Sequence, residues 1–310
     1  MKIFIEGKYR DRFPYDIKSQ LTSKGHVFTR DASECEVMLG TKLTANMLSE
    51  MKTLKAVFAP KTGADKFPLE ALDARGIGLV CSHASAPYVA EHAFALTIAL
   101  MHRVAELHNR LSDGDWCAGA SSWDSLRDKA VGIIGFGSVG REYAKLFAPF
   151  ACRIIVQDRG KALPKGVEKV ETVTDVIDKS QIILFALPKT ADSISVLTDR
   201  DYDAMKGKFI INVGRAETVS EKKLYLLLES GHLAGYASDV WTGAQGREEK
   251  KNACKASHYP FEKFANVVMS PHCAIHAKGK EDVVISDAAL SLLKYCTGES
   301  VRYIDLKRGY

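Results

Sequence analysis

The sequence predicts an α/β protein built from two doubly wound parallel sheets, each covered by helices on both faces. Two observations lead to this prediction. Short β-branched runs alternate with amphipathic helical patterns along most of the chain, which is the order of elements that parallel sheets require. The 310 residues fit two domains better than one, and a hydrophobic fraction of 46% supplies apolar side chains for two cores.

The first series of elements occupies the N-terminal third of the chain. Apolar and β-branched runs bounded by turn residues predict strands at residues 2–5, 36–39, 56–59 and 78–80. Helical periodicity predicts connecting helices at residues 15–23, 45–51 and 69–74. A longer helix is predicted over residues 87–111, with Pro87 in its first turn. Because residues 93–101 are apolar on nearly every side, more than one neighbour should bury this helix.

The second series of elements begins at Ala130. Its strands are predicted at residues 130–134, 153–157, 182–186, 209–213, 235–237 and 267–270. Its helices are predicted at residues 139–147, 173–178, 201–205 and 221–230, followed by a last helix at residues 280–296. A closing segment at residues 301–305 is expected to return to the first domain.

Composition and charge argue against several classes of protein. The net charge of +5 comes from scattered residues, whereas a nucleic-acid binder concentrates its basic side chains in one patch. Seven widely spaced cysteines without a C-x-x-C pair indicate a reducing compartment and no disulfide framework. The N-terminus lacks a signal-peptide pattern, and no apolar run approaches the roughly 20 residues of a membrane span. We therefore expect a soluble, cytoplasmic protein that binds neither nucleic acid nor membrane.

A glycine-rich loop at residues 135–140 is the most specific local signal. The string Gly135-Phe136-Gly137-Ser138-Val139-Gly140 follows an apolar strand and opens an amphipathic helix, the context of a dinucleotide-binding loop. The first glycine permits the tight turn, the second lets the backbone approach a pyrophosphate, and the third lets the helix pack on the strand. Amides at the start of the helix then face the phosphate charge. The pattern predicts a bound dinucleotide.

An acidic residue at the end of the next strand favours NAD over NADP as that dinucleotide. Asp158 follows the predicted strand at residues 153–157, where a carboxylate accepts hydrogen bonds from ribose hydroxyls and repels a 2′-phosphate. The adjacent Arg159 complicates this prediction, because a guanidinium in that place can tolerate a 2′-phosphate.

The chain resembles the D-isomer-specific 2-hydroxyacid dehydrogenases over nearly its whole length. Besides the glycine loop, short motifs in the family's order carry the resemblance. They are Lys-Thr-Gly-Ala-Asp at 61–65, Val-Ala-Glu-His-Ala at 89–93, Ala-Leu-Pro at 186–188, Ile-Asn-Val-Gly-Arg at 211–215, Gly-Tyr-Ala-Ser-Asp-Val-Trp at 235–241 and Ser-Pro-His at 270–272.

The resemblance implies two Rossmann-like domains with the active site in a cleft between them. The substrate domain would be discontinuous, formed by residues 1–97 and 281–310, and the NAD-binding domain would span residues 98–280. The implied activity is that of a D-specific, NAD(H)-dependent 2-hydroxyacid dehydrogenase or 2-keto acid reductase, similar to glyoxylate/hydroxypyruvate reductases. Members of the family are usually homodimers joined largely through the cofactor domains.

The resemblance also assigns binding roles to single residues. Backbone amides of Thr62 and Gly63 would bind the substrate carboxylate. Asp239 would hold the nicotinamide carboxamide. The remaining residues expected to contact the cofactor outside the glycine loop and its ribose site are Leu187, Pro188, Val213 and Gly214.

Hydride transfer between a nicotinamide and a 2-keto carbon requires two further groups from the protein. One is a cation that anchors the carboxylate and polarises the keto oxygen, and the planar fork of Arg215 fits that task. The other donates a proton to the developing alkoxide, and His272 fits because imidazole titrates near neutral pH. Both residues follow predicted strands, at the edge where such sheets bind ligands.

The sequence departs from the family pattern at two places. The loop carboxylate that pairs with the family's catalytic histidine is replaced by Ala244, and Gln245, Glu248 and Glu249 are alternatives among which the sequence does not choose. This departure keeps open a second class of function, a non-catalytic NAD-sensing protein similar to the family's corepressors. Ser85 replaces an asparagine common in the family, which leaves the identity of the 2-keto acid open.

No metal site is predicted from the sequence. A Cys254–His258 pair and a set of His272, Cys273 and His276 contain side chains that can bind metals, but no paired-cysteine framework accompanies them.

The substrate is not determined by the sequence. Lys61 resembles the lysine of phosphite dehydrogenases, yet it lies one residue too early in its loop. Glyoxylate, hydroxypyruvate, pyruvate and branched or aromatic 2-keto acids all remain candidate substrates.

Overall fold

The computed structural model describes residues 1–116, 122–157, 160, 162–194, 196–244 and 255–310. The chain divides into two compact units. Unit 1 consists of Met1–Ser85 and His276–Tyr310, and unit 2 is the inserted segment Ala86–Ile275. The unit boundaries lie at residues 85 and 275, whereas the sequence analysis placed the domain boundaries at residues 97 and 280. No helix in the described part of the chain is long and apolar enough to cross a membrane.

The elements alternate along the chain as the sequence predicts. The strands in the described residues are β1 (Lys2–Ile5), β2 (Val27–Thr29), β3 (Val37–Leu39), β4 (Ala56–Ala59), β5 (Gly78–Cys81), β6 (Ala130–Ile134), β7 (Arg153–Gln157), β8 (Val167–Val170), β9 (Ile182–Phe185), β10 (Phe209–Asn212), β11 (Gly235–Ser238) and β12 (Val267–Met269). The helices are α1 (Gly7–Arg10), α2 (Tyr15–Ser23), α3 (Ala45–Glu50), α4 (Leu69–Ala74), α5 (Ala86–Met101), α6 (Val104–Ser112), α7 (Ser138–Leu146), α8 (Val173–Asp178), α9 (Ala191–Ile194), α10 (Asp199–Ala204), α11 (Glu221–Glu229) and α12 (Lys280–Cys296).

Unit 1 is built on a five-stranded sheet in the order β2-β1-β3-β4-β5, with all pairs parallel. Consecutive residues of its central strands enter different cores, since strand side chains alternate between faces. Met38 and Val57 pack in one cluster, while Leu39 and Phe58 pack in the other. The predicted return of the C-terminal segment to this domain is confirmed, because the Ile304 N–H donates to the carbonyl of Leu79 at 2.8 Å.

Unit 2 is built on a seven-stranded parallel sheet in the order β12-β11-β10-β9-β6-β7-β8. Within this sheet the first strand, β6, is central, and β7 and β8 follow on one side of it. The chain then crosses to the other side of β6, where β9 to β12 follow in order. The order therefore reverses between β6 and β9, which is the switch point where doubly wound sheets bind ligands. Apolar cores cover both faces of the sheet, as two helical layers require.

The long helix predicted over residues 87–111 is wrong in one respect. The structure divides it into α5 and α6, with His102 and Arg103 between them. Arg103 has φ 53, a left-handed conformation that ends the helical hydrogen-bond ladder. Its guanidinium is fixed by Glu106 and by the carbonyl of Ser122, at 2.7 Å and 3.0 Å. Periodicity could not reveal this break, since the residues on both sides form helices.

Two strands that the sequence analysis missed, β2 and β8, form outer edges of the two sheets. Among the described strands, each pairs with one neighbour only, and the pattern Val167-Glu168-Lys169-Val170 leaves half of β8 polar. An edge strand buries little of its surface, so its residues lack the continuous apolar run of the central strands.

Candidate active site

The predicted site residues of unit 2 that the structure describes lie on one edge of its sheet. They are in the loops that follow β6, β9, β10, β11 and β12, and these five strands are neighbours in the sheet. Because all strands are parallel, their carboxyl ends meet at this edge. The sheet topology thus brings together positions that are up to 137 residues apart, from Gly135 to His272.

The glycine loop (residues 135–140) has no room for side chains at its first and third glycines. Gly135 has φ +104, and a Cβ there would lie 2.7 Å from the carbonyl oxygen of Ala186 in the loop after β9. A Cβ at Gly140 would lie 2.5 Å from the carbonyl oxygen of Gly135. At Gly137, by contrast, no atom lies within 4 Å of the place of a Cβ. The outer glycines serve the fold, and the middle one borders open space.

This open space tests whether the residues fit the dinucleotide that the sequence predicts. Gly137 is exposed and immediately precedes α7, so its backbone and the first amides of the helix are accessible. A phosphate group could approach here without meeting a side chain at residue 137. The loop therefore fits a pyrophosphate.

The loops after β9 and β10 are packed backbone to backbone. A Cβ at Gly214 would lie 2.6 Å and 2.7 Å from the carbonyl oxygen and the nitrogen of Leu187. Leu187 and Val213 are buried beside them, whereas Pro188 and its neighbours continue along the edge. The four residues predicted to line the cofactor are thus adjacent to one another and to the glycine loop.

Arg215 is held by a buried amide that the sequence analysis did not single out. The Asn212 side chain, fully buried, donates to the carbonyl of Arg215 at 3.2 Å and accepts from the N–H of Gly214 at 3.1 Å. The hydroxyl of Thr218 donates to the same Arg215 carbonyl at 2.7 Å. These bonds fix the backbone of residues 212–215, and thereby the position from which the Arg215 side chain extends.

A negative charge lies close to Arg215. Burial alone would raise the pKa of the Glu217 carboxyl, but the hydrogen bond from Lys189 and the charges of Lys189 and Arg215 hold this pKa below its ordinary value. The Lys189 ammonium is 2.6 Å from Glu217. Two cations thus flank one carboxylate at this edge, which leaves the group with a net positive charge suited to an anionic substrate.

Asp239 organises the loop that carries His272, which we name the histidine loop (residues 270–274). The Asp239 side chain is almost completely buried and accepts three hydrogen bonds from this loop. Ser270 Oγ and the Cys273 N–H donate to Oδ1 at 2.6 Å and 2.9 Å, and the Ala274 N–H donates to Oδ2 at 3.0 Å. A buried carboxylate is stable here because each bond compensates part of its lost hydration.

His272 itself has a left-handed backbone, with φ 55, and an exposed side chain. A residue with a Cβ adopts this conformation at a cost of about 1 kcal/mol, so surrounding contacts must enforce it. The two N–H groups that follow His272 supply those contacts by donating to Asp239. The imidazole makes no hydrogen bond or ion pair with another described residue, which leaves both ring nitrogens available.

His92, on α5, adds a second histidine to this edge. Its Nε2 atom is 3.0 Å from Ser270 Oγ and 3.7 Å from Asp239 Oδ1. Serine, histidine and aspartate together resemble the composition of a hydrolase triad, but the order is different. Ser270 lies between the other two and donates its proton to Asp239, so no base is placed to activate its hydroxyl. The arrangement fixes the loop and does not support a nucleophilic serine.

Several residues named in the sequence analysis lie outside the described part of the chain. They are Asp158 and Arg159, predicted for the ribose position, and Gln245, Glu248, Glu249 and Cys254, all within residues 245–254. Ala244 ends a 3-10 turn, Thr242–Ala244, just before these residues. Buried Glu221 accepts hydrogen bonds from Thr242 and from Ser257, so one carboxylate binds described residues that precede and follow residues 245–254.

The two residues expected to bind the substrate carboxylate belong to unit 1. Thr62 and Gly63 follow β4, and the Thr62 hydroxyl lies 2.9 Å from the hydroxyl of Ser85, in the loop after β5. The backbone N–H groups of Thr62 and Gly63 donate to no other described residue. Ser85, which replaces the asparagine common in the family, is almost completely buried, and its hydroxyl links the loop after β5 to the loop after β4.

Comparison with known proteins identifies the family. The sequence profile of the NAD-binding domain of D-isomer specific 2-hydroxyacid dehydrogenases matches residues 94–274, more than half of the chain. The chain belongs to this family. Membership in this family agrees with the glycine loop, with the Rossmann order of the unit 2 sheet and with the resemblance found in the sequence.

Relatives within the 2-hydroxyacid dehydrogenase family have different substrates. Hydroxypyruvate reductase of Thermotoga maritima is 30% identical over 241 residues, which cover 76% of this chain and 76% of the relative. D-3-phosphoglycerate dehydrogenase of Dictyostelium discoideum is 28% identical over 239 residues, which cover 75% of this chain and 56% of that protein. This chain thus spans little more than half the length of the second relative.

Solved structures of family members share the fold. An NADPH-dependent glyoxylate/hydroxypyruvate reductase from Sinorhizobium meliloti, in complex with citrate, matches with a TM-score of 0.75 at 21% identity and covers 98% of both chains. D-lactate dehydrogenase from Aquifex aeolicus, in complex with NAD and lactic acid, matches with a TM-score of 0.74 at 19% identity and covers 96% of both chains. Both nicotinamide cofactors therefore occur among proteins of this fold.

Proposed function

We propose that this protein reduces a small 2-keto acid to the D-2-hydroxy acid with NADH, and catalyses the reverse oxidation with NAD. Glyoxylate/hydroxypyruvate reductases are among the relatives and supply the analogy for this substrate class. The observation that supports this most is the alignment of the glycine loop, Arg215 and His272 along one carboxyl edge of a single sheet. Loops at that edge combine a phosphate-binding backbone, a cation and an available imidazole.

The cofactor would be held by the edge of unit 2. Its contacts are proposed to be Gly135, Gly137, Ser138, Val139, Gly140, Asp158, Arg159, Leu187, Pro188, Val213, Gly214 and Asp239. When bound, the nicotinamide ring supplies or accepts the hydride. Among the described residues, Asp239 Oδ2 accepts a hydrogen bond only from the Ala274 N–H, so this atom has capacity for a carboxamide.

Arg215 and His272 are proposed to handle the charge and the proton of the substrate. The Arg215 guanidinium would bind the carboxylate and polarise the keto oxygen, since planar guanidinium groups bind carboxylates in a bidentate manner. His272 would donate a proton to the carbonyl oxygen during reduction and accept one from the hydroxyl during oxidation. Thr62 and Gly63 would add backbone N–H groups for the carboxylate.

We propose a homodimer that covers part of unit 2. Helix α6 has no buried residue although its apolar and polar side chains lie on different faces. Val104 and Leu111 are 52% and 54% exposed, and Trp116 just beyond is 80% exposed. Large apolar side chains grouped in this way are typical of a protein interface, and the family's usual contact through the cofactor domain suggests a second copy of this chain.

Sedimentation of the wild type and of Leu111→Glu tests the proposed dimer. A dimeric wild type with a monomeric variant supports the contact through α6, and a monomeric wild type excludes the dimer.

The first test measures the rate with NADH and a panel of 2-keto acids. The rate is obtained from the loss of NADH absorbance, and the same panel is run with NADPH. We expect turnover on one class of 2-keto acid and a higher kcat/KM with NADH than with NADPH. Preference for NADPH would overturn the cofactor proposal and would indicate that Arg159 prevails over Asp158. Cofactor binding without turnover on any acid would favour the alternative, an NAD-sensing binding protein.

That alternative has one observation in its favour. His272 has no carboxylate partner among the described residues, and Ala244 stands where the family places the acid. A protein that binds NAD without turning over substrate would not need this pair.

Variants of Arg215 and His272 test the proposed roles. Arg215→Ala and His272→Ala should each lower kcat/KM by at least ~100-fold, because each removes a group that acts on the reacting atoms. His232→Ala and Arg200→Ala are matched controls, since both side chains are exposed and lie away from this edge. A near-native rate in either test variant would remove that residue from the mechanism.

A further inference from the structure

Four polar atoms from three segments of unit 2 converge beside the histidine loop. They are His92 Nε2 on α5, Asp239 Oδ1 after β11, and Ser270 Oγ and Cys273 Sγ after β12. His92 Nε2 lies 3.0 Å from Ser270 Oγ, 3.7 Å from Asp239 Oδ1 and 3.9 Å from Cys273 Sγ. The nitrogen, the sulfur and a carboxylate oxygen all lie within 4.8 Å of one another. The proposed catalytic roles of Arg215 and His272 make no use of the Cys273 thiol or of the His92 ring.

The three donors match the preferences of one class of metal ion. Zinc binds imidazole nitrogen, thiolate and carboxylate oxygen, usually in a tetrahedron. Ordinary zinc bond lengths give a tetrahedron with N···S and N···O edges of about 3.6 Å and about 3.4 Å. The corresponding distances here are 3.9 Å and 3.7 Å, so these two edges need to shorten by a few tenths of an ångström. The third edge, from the carboxylate oxygen to the sulfur, lies within 4.8 Å, against about 3.6 Å in such a tetrahedron, so the Cys273 thiol would move toward Asp239 by at most about 1.2 Å. Calcium and magnesium are poorly suited, because they require several oxygen ligands.

We propose that His92, Asp239 and Cys273 form a binding site for Zn²⁺ or a cation of the same thiophilic class. The fourth position is left to a water molecule or the Ser270 hydroxyl. On binding, the Cys273 thiol releases its proton to solvent and the sulfur coordinates as thiolate. The carboxylate and the thiolate together balance the two positive charges of the ion. Sequence spacing hides this site, since its ligands are 147 and 34 residues apart along the chain.

The cation and the hydrogen bonds of the histidine loop compete for the same oxygen. Asp239 Oδ1 accepts from Ser270 Oγ and from the Cys273 N–H, and those bonds help to impose the left-handed backbone of His272. A metal ion on Oδ1 weakens both bonds and draws Cys273 toward α5. The site is therefore expected to act as a reversible inhibitory site, and this consequence, unlike binding itself, rests on the proposed function.

Binding is tested on the purified, metal-free protein with Co²⁺ as a spectroscopic probe and with Zn²⁺ as competitor. We expect one equivalent of Co²⁺ to produce a thiolate-to-metal charge-transfer band and the visible absorption of a tetrahedral site, and Zn²⁺ to abolish both. Cys273→Ser should eliminate the charge-transfer band, and His92→Gln should weaken Co²⁺ binding at least ~10-fold. Cys152→Ser is the matched control, because Cys152 is a partly buried cysteine of the same unit whose thiol donates to the carbonyl of Leu126.

The outcomes separate the site from its alternatives. Absence of the band in the wild type, or its persistence in Cys273→Ser, overturns the proposal, the latter because another thiol would then be the ligand. Should His92→Gln fail to fold, Zn²⁺-induced thermal stabilisation in the wild type and its absence in Cys273→Ser provide a second reading.

Inhibition is measured separately, with each variant compared to its own rate without metal. If a 2-keto acid substrate is found, Zn²⁺ should lower the wild-type rate and a chelator should restore it, whereas Cys273→Ser should resist. Failure to find any substrate would defeat the proposed function but leave the spectroscopic result intact. Zn²⁺ binding without inhibition would overturn the competition for Asp239 Oδ1.

Discussion

The glycine loop and the histidine loop lie at the same edge of the unit 2 sheet, but different forces shape them. The glycine loop is shaped by missing side chains: Gly135 and Gly140 lie against backbone atoms that leave no room for a Cβ. The histidine loop is shaped by a side chain that follows another strand, β11, because Asp239 binds two of its N–H groups and the Ser270 hydroxyl. The first loop is encoded by consecutive residues, and the second depends on a residue more than thirty positions away.

This contrast explains why one loop is recognisable from sequence and the other is less so. A pattern of glycines is visible wherever it occurs, and its context of strand and helix makes it specific. The left-handed backbone of His272 leaves no such pattern, because residues with a Cβ seldom adopt it and the carboxylate that enforces it, Asp239, is distant in the sequence. A functional loop held by a distant carboxylate should therefore be sensitive to substitutions far from it in sequence.

The largest effect on stability is expected from a methyl group in the glycine loop. Gly140→Ala places a Cβ 2.5 Å from the carbonyl oxygen of Gly135, and this steric clash can be removed only by moving the backbone. We expect the free energy of unfolding to fall by about 3 kcal/mol. Urea denaturation followed by the fluorescence of Trp241, which is buried in unit 2, measures this change.

Gly137→Ala is the matched control within the same loop. Its Cβ would meet no atom within 4 Å, so the free energy of unfolding should change by less than about 1 kcal/mol. NADH affinity should nevertheless fall at least ~10-fold, because the methyl group enters the space proposed for the pyrophosphate. Equal loss of stability in both variants would contradict the distinction between structural and binding glycines.

Removal of the Asp239 carboxylate should have the next largest effect. Asp239→Ala leaves the Ser270 hydroxyl and two backbone N–H groups without their acceptor, which should cost about 2 kcal/mol of unfolding free energy. The rate kcat/KM should fall by ~100-fold, since His272 is no longer held in place. Trp241 offers a local reading, because its indole N–H donates to the Ser270 carbonyl at 3.1 Å.

Asp203→Asn provides a control for the loss of a carboxylate, as the Asp203 side chain is 75% exposed and pairs only with Lys206 among the described residues. It should leave stability and rate unchanged. If Asp239→Ala retained the native rate and Trp241 fluorescence, the histidine loop would not depend on the distant carboxylate, and the comparison would fail.

A histidine after a strand of unit 1 extends the comparison to a buried ring nitrogen. Its substitution should have the smallest effect, a change in how stability depends on pH. His83 follows β5, and its Nδ1 atom is buried with no hydrogen-bond partner among the described residues. Burial, together with the charge of Arg302, lowers the pKa of His83 below its ordinary value of 6.5, and Asp287 opposes this shift.

Because the folded state resists a proton that the unfolded chain accepts, the stabilising contribution is complete above pH 6.5 and declines as the pH falls below it. His83→Gln should therefore flatten the loss of urea stability between about pH 7 and about pH 5.5, while His108→Gln, an exposed control, should not. An unchanged slope in His83→Gln would assign the acid sensitivity to another group.

Much of the fold followed from the sequence because its signals are local. The strands at residues 2–5, 56–59, 130–134 and 153–157 have the predicted bounds, and so do the helices at residues 15–23, 69–74, 173–178 and 280–296. The edge strands β2 and β8 were missed, and α5 and α6 were merged, because short edges and a single left-handed residue leave weak traces in periodicity.

What the sequence determined by itself was the class of the protein. Alternating elements, the glycine loop and the ordered family motifs identified an NAD-binding α/β chain, because each depends on residue types that are close together in the chain. The tertiary structure decided what holds the functional edge: Asn212 behind Arg215, Asp239 behind His272, and the meeting of His92 with Cys273. These contacts join distant segments, and only the order of strands in the sheet determines which loop ends become neighbours.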